Sequence, residues 1–97
     1  MKLPTYKLKP NVCLETFDDG ALLLNLKDIT LTELNITAKD ILIATDGLQD
    51  ILQVARHLAE SYEIPLEDAR QDVLGLYQQL VEQGILETIQ QPMEKEG

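Results

Sequence analysis

Residues 12–35 carry the sequence VCLETFDDGALLLNLKDITLTELN, which decides the class of fold. Val12–Phe17 alternates apolar and polar side chains, and DDG at residues 18–20 is a hairpin-turn signature in which Gly20 can take a positive φ. Ala21–Leu26 contains three consecutive leucines, which is typical of a central strand covered on both faces. Ile29–Leu34 is rich in β-branched residues. The stretch predicts a three-stranded antiparallel meander.

Helical periodicity follows the three predicted strands. Asn35 is a suitable N-cap for a first helix that ends near Thr45. Asp46-Gly47 then interrupts the chain, and apolar residues at i, i+3, i+4 and i+7 predict a second helix over Leu48–Tyr62. The side chains expected to face the core from these two helices are Ala38, Ile41, Leu42, Leu48, Ile51, Leu52, Ala55, Leu58, Ala59 and Tyr62.

A third helix is predicted over Leu66–Gln83. Glu67 and Asp68 suit the positive end of its dipole, and Gly84 suits the position that terminates it. The sequence therefore predicts an α+β fold, in which a three-stranded antiparallel sheet is followed by a three-helix bundle in a winged-helix-like arrangement. Residues 1–89 are expected to form one domain, and the polar tail 90–97 is expected to be disordered.

Composition and charge disfavour several classes of function. The 97 residues include 17 acidic and 8 basic side chains, for a net charge of −9, and such a surface repels a nucleic-acid backbone. The apolar runs are shorter than the roughly 20 residues of a membrane span, and the first residues lack a secretion signal, so a cytoplasmic location is expected. One cysteine, Cys13, and one histidine, His57, exclude an internal disulfide and a Cys/His metal site.

Sequence motifs of catalysis are missing. The glycines are isolated from one another, so the chain lacks a phosphate-binding loop. Ser61 and Cys13 have only His57 as a possible base, and neither lies in a nucleophile motif. The sequence therefore predicts a protein that is not an enzyme and that uses neither a cofactor nor a metal.

The predicted third helix carries more apolar surface than a core-facing stripe needs. Its first row is Ala69, Val73, Leu76 and Leu80, and its second row is Arg70, Leu74, Tyr77 and Val81. The two rows are rotated by roughly 100° and together cover an arc of roughly 160°, against about 100° for an ordinary core stripe. The second row either packs against the sheet or lines a groove that a partner segment fills.

The last predicted strand, Ile29–Leu34, is an edge strand of the meander. It contains neither proline nor lysine, the residues that commonly protect an edge from pairing. Such an edge can accept an extended peptide as an additional strand, or pair with a second copy of the chain in a homodimer. Together with the second helical row it predicts a peptide-binding cleft, provided that the chain's own residues do not fill that cleft.

Several segments in this order resemble the coenzyme PQQ synthesis protein D (PqqD) family. The matching segments are Leu8–Val12, Asp19–Leu24, Glu33–Ala38, Asp46-Gly47, Ala55–Tyr62, Asp72–Leu74 and Leu80–Leu86. The resemblance covers about residues 8–89. It implies a RiPP recognition element, where RiPPs are ribosomally made and post-translationally modified peptides.

The resemblance implies a peptide chaperone. Members bind the leader segment of a precursor peptide as an extra strand against the third strand, in a cleft closed by the third helix. They deliver it to a maturation enzyme such as a radical SAM protein, a peptidase or a cyclase. Carried over by position, the peptide-binding residues would be Ile29, Thr30, Leu31, Thr32, Glu33, Arg70, Val73, Leu74, Tyr77 and Val81.

Two alternatives stay open beside the chaperone. One is a structural or regulatory subunit of a maturation complex that does not read a leader. The other is a winged-helix nucleic-acid binder, which the predicted third helix disfavours because it offers several acids against the single basic residue Arg70. For the chaperone, Tyr77→Ala or Leu74→Asp is expected to weaken peptide binding and to leave the helical circular dichroism unchanged. Loss of the fold would instead indicate packing.

Overall fold

A computed structural model describes residues 3–89 of the chain. Within this range the chain forms five strands and three helices, in the order β1 (Thr5–Leu8), β2 (Val12–Phe17), β3 (Gly20–Asn25), β4 (Thr30–Asn35), α1 (Ile36–Ile43), α2 (Ile51–Tyr62), α3 (Leu66–Glu82) and β5 (Leu86–Ile89). Strands β2, β3 and β4 form an antiparallel sheet in that order. The predicted arrangement of a three-stranded antiparallel sheet followed by three helices is confirmed.

The first turn of the meander depends on a close backbone approach. Phe17 and Gly20 form the closing pair of the β2–β3 hairpin, and Gly20 is buried. A β-carbon at Gly20 would collide with the carbonyl oxygen of Leu34 on β4. The prediction that Gly20 uses a positive φ is wrong, because among the described glycines only Gly47 and Gly84 have a positive φ. Glycine is needed here because β4 passes too close for a side chain.

The second turn takes one residue from the predicted third strand. Ile29 was expected to begin that strand, but it lies in the turn with φ 55° and is 72% exposed, and β4 begins at Thr30. The side chain of Asn25 stabilises this end of the sheet. Its Oδ1 accepts hydrogen bonds from Asn11 Nδ2 at 2.6 Å and from the Lys27 amide at 3.0 Å.

The helix ends are set by local hydrogen bonds. Asn35 caps α1, as predicted, by accepting a hydrogen bond from the Ala38 amide at 2.9 Å. Asp50 and Gln53 form a reciprocal capping box that begins α2 at Ile51. The prediction that Leu48 begins this helix and faces the core is therefore wrong, since Leu48 lies in the preceding loop and is 83% exposed.

The loop before α2 is itself held by a side chain. Asp46 Oδ1 accepts hydrogen bonds from the amides of Leu48 and Gln49 at 2.9 and 3.3 Å. These bonds hold the pKa of the Asp46 carboxyl below its usual value, the bond from Leu48 being the largest cause. The third helix ends one residue before the predicted Gln83, and Gly84 takes φ 75° as its expected terminator.

Two strands were not predicted. β1 and β5 pair antiparallel, with Leu8 opposite Leu86 and Tyr6 opposite Thr88. An isolated bridge joins Thr5 to Asp50 beside them. This small sheet brings the two ends of the described chain together and lies against α3.

One hydrophobic core joins the meander to the helices and to β5. Its buried members are Leu23, Ile41, Leu42, Val54, Ala55, Leu58, Ala69, Val73, Tyr77, Leu80, Ile85 and Leu86. The expected disordered tail 90–97 lies outside the described residues. Over residues 3–89, none of the helices combines the length and the apolar character needed to cross a membrane.

Candidate peptide-binding site

The free edge of β4 presents the backbone groups of alternate residues. In the two-residue β2–β3 hairpin the closing pair Phe17–Gly20 exchanges hydrogen bonds, so the amides and carbonyls of Gly20, Leu22 and Leu24 point toward β2. The hydrogen bond from the Leu26 amide to the Asn11 carbonyl, 2.8 Å long, continues this alternation. Residues 21, 23 and 25 therefore point toward β4 instead.

The register then identifies the outward residues of β4. Ala21, Leu23 and Asn25 lie opposite Leu34, Thr32 and Thr30. Those three residues of β4 use their backbone groups inside the sheet, and Leu31 and Glu33 direct theirs away from it. Within residues 3–89, neither Leu31 nor Glu33 has a partner strand on that side. Two amides and two carbonyls are thus available to an added strand.

The side chains of β4 divide between the two faces of the sheet. Thr32 lies opposite Leu23, which is fully buried in the core cluster, and Leu34 packs against the same cluster. Leu31 and Glu33 are exposed on the opposite face, beside the half-buried Leu24 and Leu22. A strand added at this edge would therefore have one helix-facing row and one outer row of side chains.

The N-terminal part of the second row of α3 is accessible. Arg70 is half-buried and forms an ion pair with Glu67, its Nη2 lying 2.7 Å from Oε2. The hydrogen bond with Arg70 lowers the pKa of the Glu67 carboxyl and raises the pKa of the guanidinium. Leu74, one turn further along, is half-buried and is not a member of the core cluster. Its exposed part is available to a guest.

The middle of the same row is closed by the chain itself. Tyr77 is 1% exposed, and its ring centroid lies 4.3 Å from that of Tyr6 on β1. Tyr77 Oη lies 2.6 Å from Thr45 Oγ1, and burial raises the pKa of this phenol to about 12. Val73 is fully buried. Tyr77 therefore agrees with the alternative in which the second row packs inside the fold, and Val73, a member of the first row, lies in the core beside it.

The last residue of the row borders a surface pocket. Val81 is 39% exposed. The pocket has a volume of about 410 Å³ and is lined by Tyr6, Tyr77, Gln78, Val81, Glu82 and Thr88. Helical periodicity predicted which side chains follow one another along the row, but it could not reveal that β1 and β5 would cover part of it. The missing information was the pairing of two strands that are far apart in the sequence.

The expected cleft residues are therefore not equivalent. Thr30, Leu31, Thr32 and Glu33 lie together on the free edge strand, while Ile29 lies in the turn before it. On α3, Arg70, Leu74 and Val81 reach the surface, and Val73 and Tyr77 belong to the core.

A separate groove between α1 and α2 contains residues that could suggest catalysis. It has a volume of about 300 Å³ and includes Asp40, His57 and Ser61 in its lining. Asp40 accepts a hydrogen bond from Tyr62 Oη at 2.6 Å, and the hydrogen bonds found within residues 3–89 do not include one from His57 to Ser61 or Asp40. The three side chains are not arranged as a hydrogen-bonded triad.

Comparison with known proteins places the fold in a family. Residues 20–86, more than half of the chain, match the family model described as Coenzyme PQQ synthesis protein D (PqqD). The chain belongs to the PqqD family. The match begins at β3 and ends at the first residue of β5, so it includes β4 and the whole of α3. No curated protein matches the chain.

Two solved structures have the fold of this PqqD-family chain. One is described as lasso peptide synthetase B1 complexed with the leader peptide; it is 28% identical, has a TM-score of 0.76, and the match covers 84% of this chain and 96% of that one. The other is described as TbiB1 in complex with the TbiA(beta) leader peptide, with 18% identity, a TM-score of 0.77, and coverage of 84% and 94%. At 18% identity the second comparison concerns the fold alone.

Proposed function

We propose that this PqqD-family protein binds the leader segment of a ribosomal precursor peptide as an added strand on β4 and presents it to a modifying enzyme. The outward backbone groups of Leu31 and Glu33 are the observation that carries the proposal, because they match the hydrogen-bonding groups of an extended peptide. Membership of the PqqD family and the likeness to a lasso peptide synthetase B1 in complex with a leader peptide support it.

The opposite edge of the meander is less suited to this role. On β2 the outward residues are Val12, Leu14 and Thr16, because Cys13, Glu15 and Phe17 bond to β3. The Val12 amide is already used in a hydrogen bond of 3.0 Å to the Lys9 carbonyl. An added strand would find one end of β2 occupied, whereas β4 is bare at both Leu31 and Glu33.

The guest would be held by the backbone of β4 and by the accessible side chains of α3. Ile29, Thr30, Leu31, Thr32 and Glu33 supply the strand side, with Ile29 at the turn where the guest ends. Arg70, Leu74 and Val81 supply the helix side. Val73 and Tyr77 would contribute indirectly, because they are buried in the core beneath this surface and hold α3 in place.

Simple energetics indicate how the affinity is divided. Each backbone hydrogen bond contributes about 0.5–1.5 kcal/mol net, so the four outward groups contribute roughly 2–6 kcal/mol. A dissociation constant of about 1 mM corresponds to −4.1 kcal/mol and one of about 1 μM to −8.2 kcal/mol. Backbone pairing therefore supplies weak affinity that does not depend on the guest's sequence, and burial of guest side chains near Thr32 and Leu74 must supply the register and the remaining affinity.

The remaining parts of the proposal concern partners and location. The chain would perform no reaction of its own, would need no cofactor, and would act in the cytoplasm where ribosomal precursors are made. The modifying enzyme would be a radical SAM protein, a peptidase or a cyclase. We also propose that the helices and the sheet are arranged in a winged-helix-like manner. When the guest is absent, two copies of the chain would pair through β4 to form a homodimer.

The experiment places a proline on each edge of the meander. In Glu33→Pro one of the two outward amides of β4 is lost, while the β3–β4 ladder keeps its bonds because Thr32 and Leu34 make them. The matched variant Thr16→Pro removes an outward amide from β2. Glu33→Ala removes the same carboxylate as the first variant but keeps the amide.

We expect leader peptides from the precursor genes that neighbour this one to bind the wild-type chain, Thr16→Pro and Glu33→Ala in fluorescence anisotropy. Glu33→Pro should bind roughly 5- to 100-fold more weakly, because the guest carbonyl that faced this amide is left without a donor, at a cost of about 1–3 kcal/mol. Unchanged far-ultraviolet circular dichroism would show that each variant is folded. Loss of binding in Thr16→Pro with retention in Glu33→Pro would place the guest on β2 and contradict the proposal.

A further inference from the structure

The outer face of the meander consists of two ladders of side chains that cross all three strands. In the first ladder Cys13, Leu24 and Leu31 lie opposite one another, and in the second Glu15, Leu22 and Glu33 do so. Both ladders stop at β4, where Leu31 is 67% exposed and Glu33 is exposed. These are the two residues whose backbone groups point outward, so a guest strand would add one more side chain to each ladder.

We propose that the guest peptide carries a basic residue beside Glu33 and an apolar residue beside Leu31, two positions apart on the outer face. This inference rests on the proposed function, because it requires a strand on β4. It assigns the recognition of charge to the solvent-facing side of the sheet rather than to α3.

Glu33 is suited to select a basic residue. Within residues 3–89 its carboxylate has no lysine or arginine within ion-pair distance, since the ion pair found there joins Arg70 to Glu67. Glu15 is in the same ladder, beyond Leu22, two strand spacings or roughly 10 Å from Glu33. A lysine or arginine on the guest would be attracted by the Glu33 carboxylate beside it, and an acidic residue would be repelled. Glu15 lies three strand spacings, or roughly 14 Å, from the guest, where salt screens most of its effect.

The only basic residue on α3 is less available for the same task. Arg70 forms two hydrogen bonds with Glu67, from Nε at 3.2 Å and from Nη2 at 2.7 Å. A guest carboxylate would have to compete with Glu67 for this guanidinium. Charge selection by Glu33 requires no bond to be broken, so the outer face offers the simpler basis for specificity.

Leu31 is suited to select an apolar residue. It lies opposite the half-buried Leu24, and Leu24 lies opposite Cys13 on the other side. Neighbouring side chains on one face of a sheet approach to about 4.5–5.5 Å between β-carbons, so an apolar guest side chain beside Leu31 would remove apolar surface from water on both residues.

The order of the two guest residues reports the direction of the guest. In an antiparallel pairing the guest residue beside Glu33 precedes the one beside Leu31, which gives the pattern basic-x-apolar. In a parallel pairing the order reverses and gives apolar-x-basic. Either direction places both residues on the outer face, because side chains alternate with period two.

The test is a selection from a random peptide library displayed on phage, carried out on the immobilised full chain. Three forms are compared: wild type, Glu33→Lys and Glu15→Lys. Glu15→Lys is the matched control, since it makes the same change of charge in the same ladder but on the strand farthest from the guest. We expect wild type and Glu15→Lys to enrich lysine or arginine at one position, two residues from an apolar position. Glu33→Lys should enrich aspartate or glutamate at that position instead.

A selected peptide then gives the magnitude in solution. Exchanging the guest lysine for glutamate removes one cross-strand attraction and adds a repulsion of similar size, so it should weaken binding to the wild type about 2- to 30-fold by fluorescence anisotropy. The same exchange should strengthen binding to Glu33→Lys. Peptides that are enriched without a charge preference, or with the same preference for wild type and Glu33→Lys, overturn this inference and leave leader binding intact. Enrichment of no peptide by any form overturns both proposals.

Discussion

Replacing Tyr77 by alanine removes one of the largest fully buried side chains of the protein. Tyr77 is 1% exposed and its ring contacts that of Tyr6 at a tilt of 41°. Truncating a buried aromatic residue costs about 3–5 kcal/mol. Domains of this size have a total stability of about 5–15 kcal/mol. The variant would therefore lose a large part of its stability. The chaperone interpretation of the sequence expects Tyr77→Ala to spare the fold and leaves loss of the fold as the sign of packing; the buried position favours the second outcome.

Smaller changes at the same place separate the hydroxyl from the ring. Thr45 donates its hydroxyl hydrogen to the Ile41 carbonyl at 2.6 Å, so it must accept the hydrogen bond from Tyr77 Oη. Tyr77→Phe removes only this bond and should cost about 0.5–1.5 kcal/mol. Thr45→Val leaves the tyrosine hydroxyl buried without an acceptor and should cost about 1–3 kcal/mol.

Urea denaturation followed by far-ultraviolet circular dichroism measures these differences. With an m value of about 2 kcal/mol/M, Tyr77→Ala should lower the midpoint by about 2 M and Tyr77→Phe by less than about 1 M. The double variant Tyr77→Phe/Thr45→Val should be more stable than Thr45→Val alone, because the unsatisfied hydroxyl is gone. A Tyr77→Ala variant with the wild-type midpoint and no peptide binding would refute this reasoning and place the ring in the cleft.

Four further predictions use the same denaturation assay. Burial raises the pKa of Tyr77 to about 12, above its unfolded value of about 10, so the folded state keeps the phenolic proton to a higher pH than the unfolded state. The free energy of unfolding of the wild type should therefore fall by roughly 2–3 kcal/mol between pH 10 and 12 through this group. Tyr77→Phe should lack this part of the pH dependence. Gly75→Ala should raise stability by about 0.5–1 kcal/mol, since Gly75 is within α3 and a β-carbon there would touch no other residue. Gly20→Ala should lower stability by about 1–3 kcal/mol, because its β-carbon would collide with the backbone of β4. Asn35→Ala should cost about 0.5–2 kcal/mol by removing the cap of α1. Ile29→Gly should be neutral or stabilising by up to about 1 kcal/mol, because glycine adopts φ 55° without strain; a clear loss would show that the exposed isoleucine makes a stabilising contact.

The parts of the fold that follow from local pattern could be predicted. Alternation and turn residues gave the three-stranded meander, and Asn35 and Gly84 correctly marked a helix start and a helix end. Leu48 was misplaced because Asp50 offers a better cap and Asp46 holds the intervening residues in a turn. Apolar periodicity predicts a helix for as long as the apolar residues continue at the right spacing. The start of the real helix is set by the capping hydrogen bonds instead.

The pairing of β1 with β5 could not be predicted from such patterns. TYKL and LETI are only four residues each, and they meet because the folded core brings the two ends of the described range, residues 3–89, together. The same limit affects the candidate site. The free edge of β4 could be predicted, because β4 is the last strand of the meander and contains neither proline nor lysine. The burial of Tyr77 could not, because it depends on Tyr6, a residue more than seventy positions away.

The division of the second row of α3 explains how an empty recognition domain can stay folded. A side chain as large as Tyr77 would contribute almost nothing to the stability of the free protein if only a guest peptide could cover it. Tyr6 covers Tyr77 in the free protein, so the parts left for a guest to cover are the half-buried Leu74 and the edge of β4. Water satisfies the exposed amides and carbonyls of such an edge, so leaving it open costs little. The binding energy is then limited to what Leu74, the edge and the outer ladders contribute, which favours a complex weak enough to release its peptide to an enzyme.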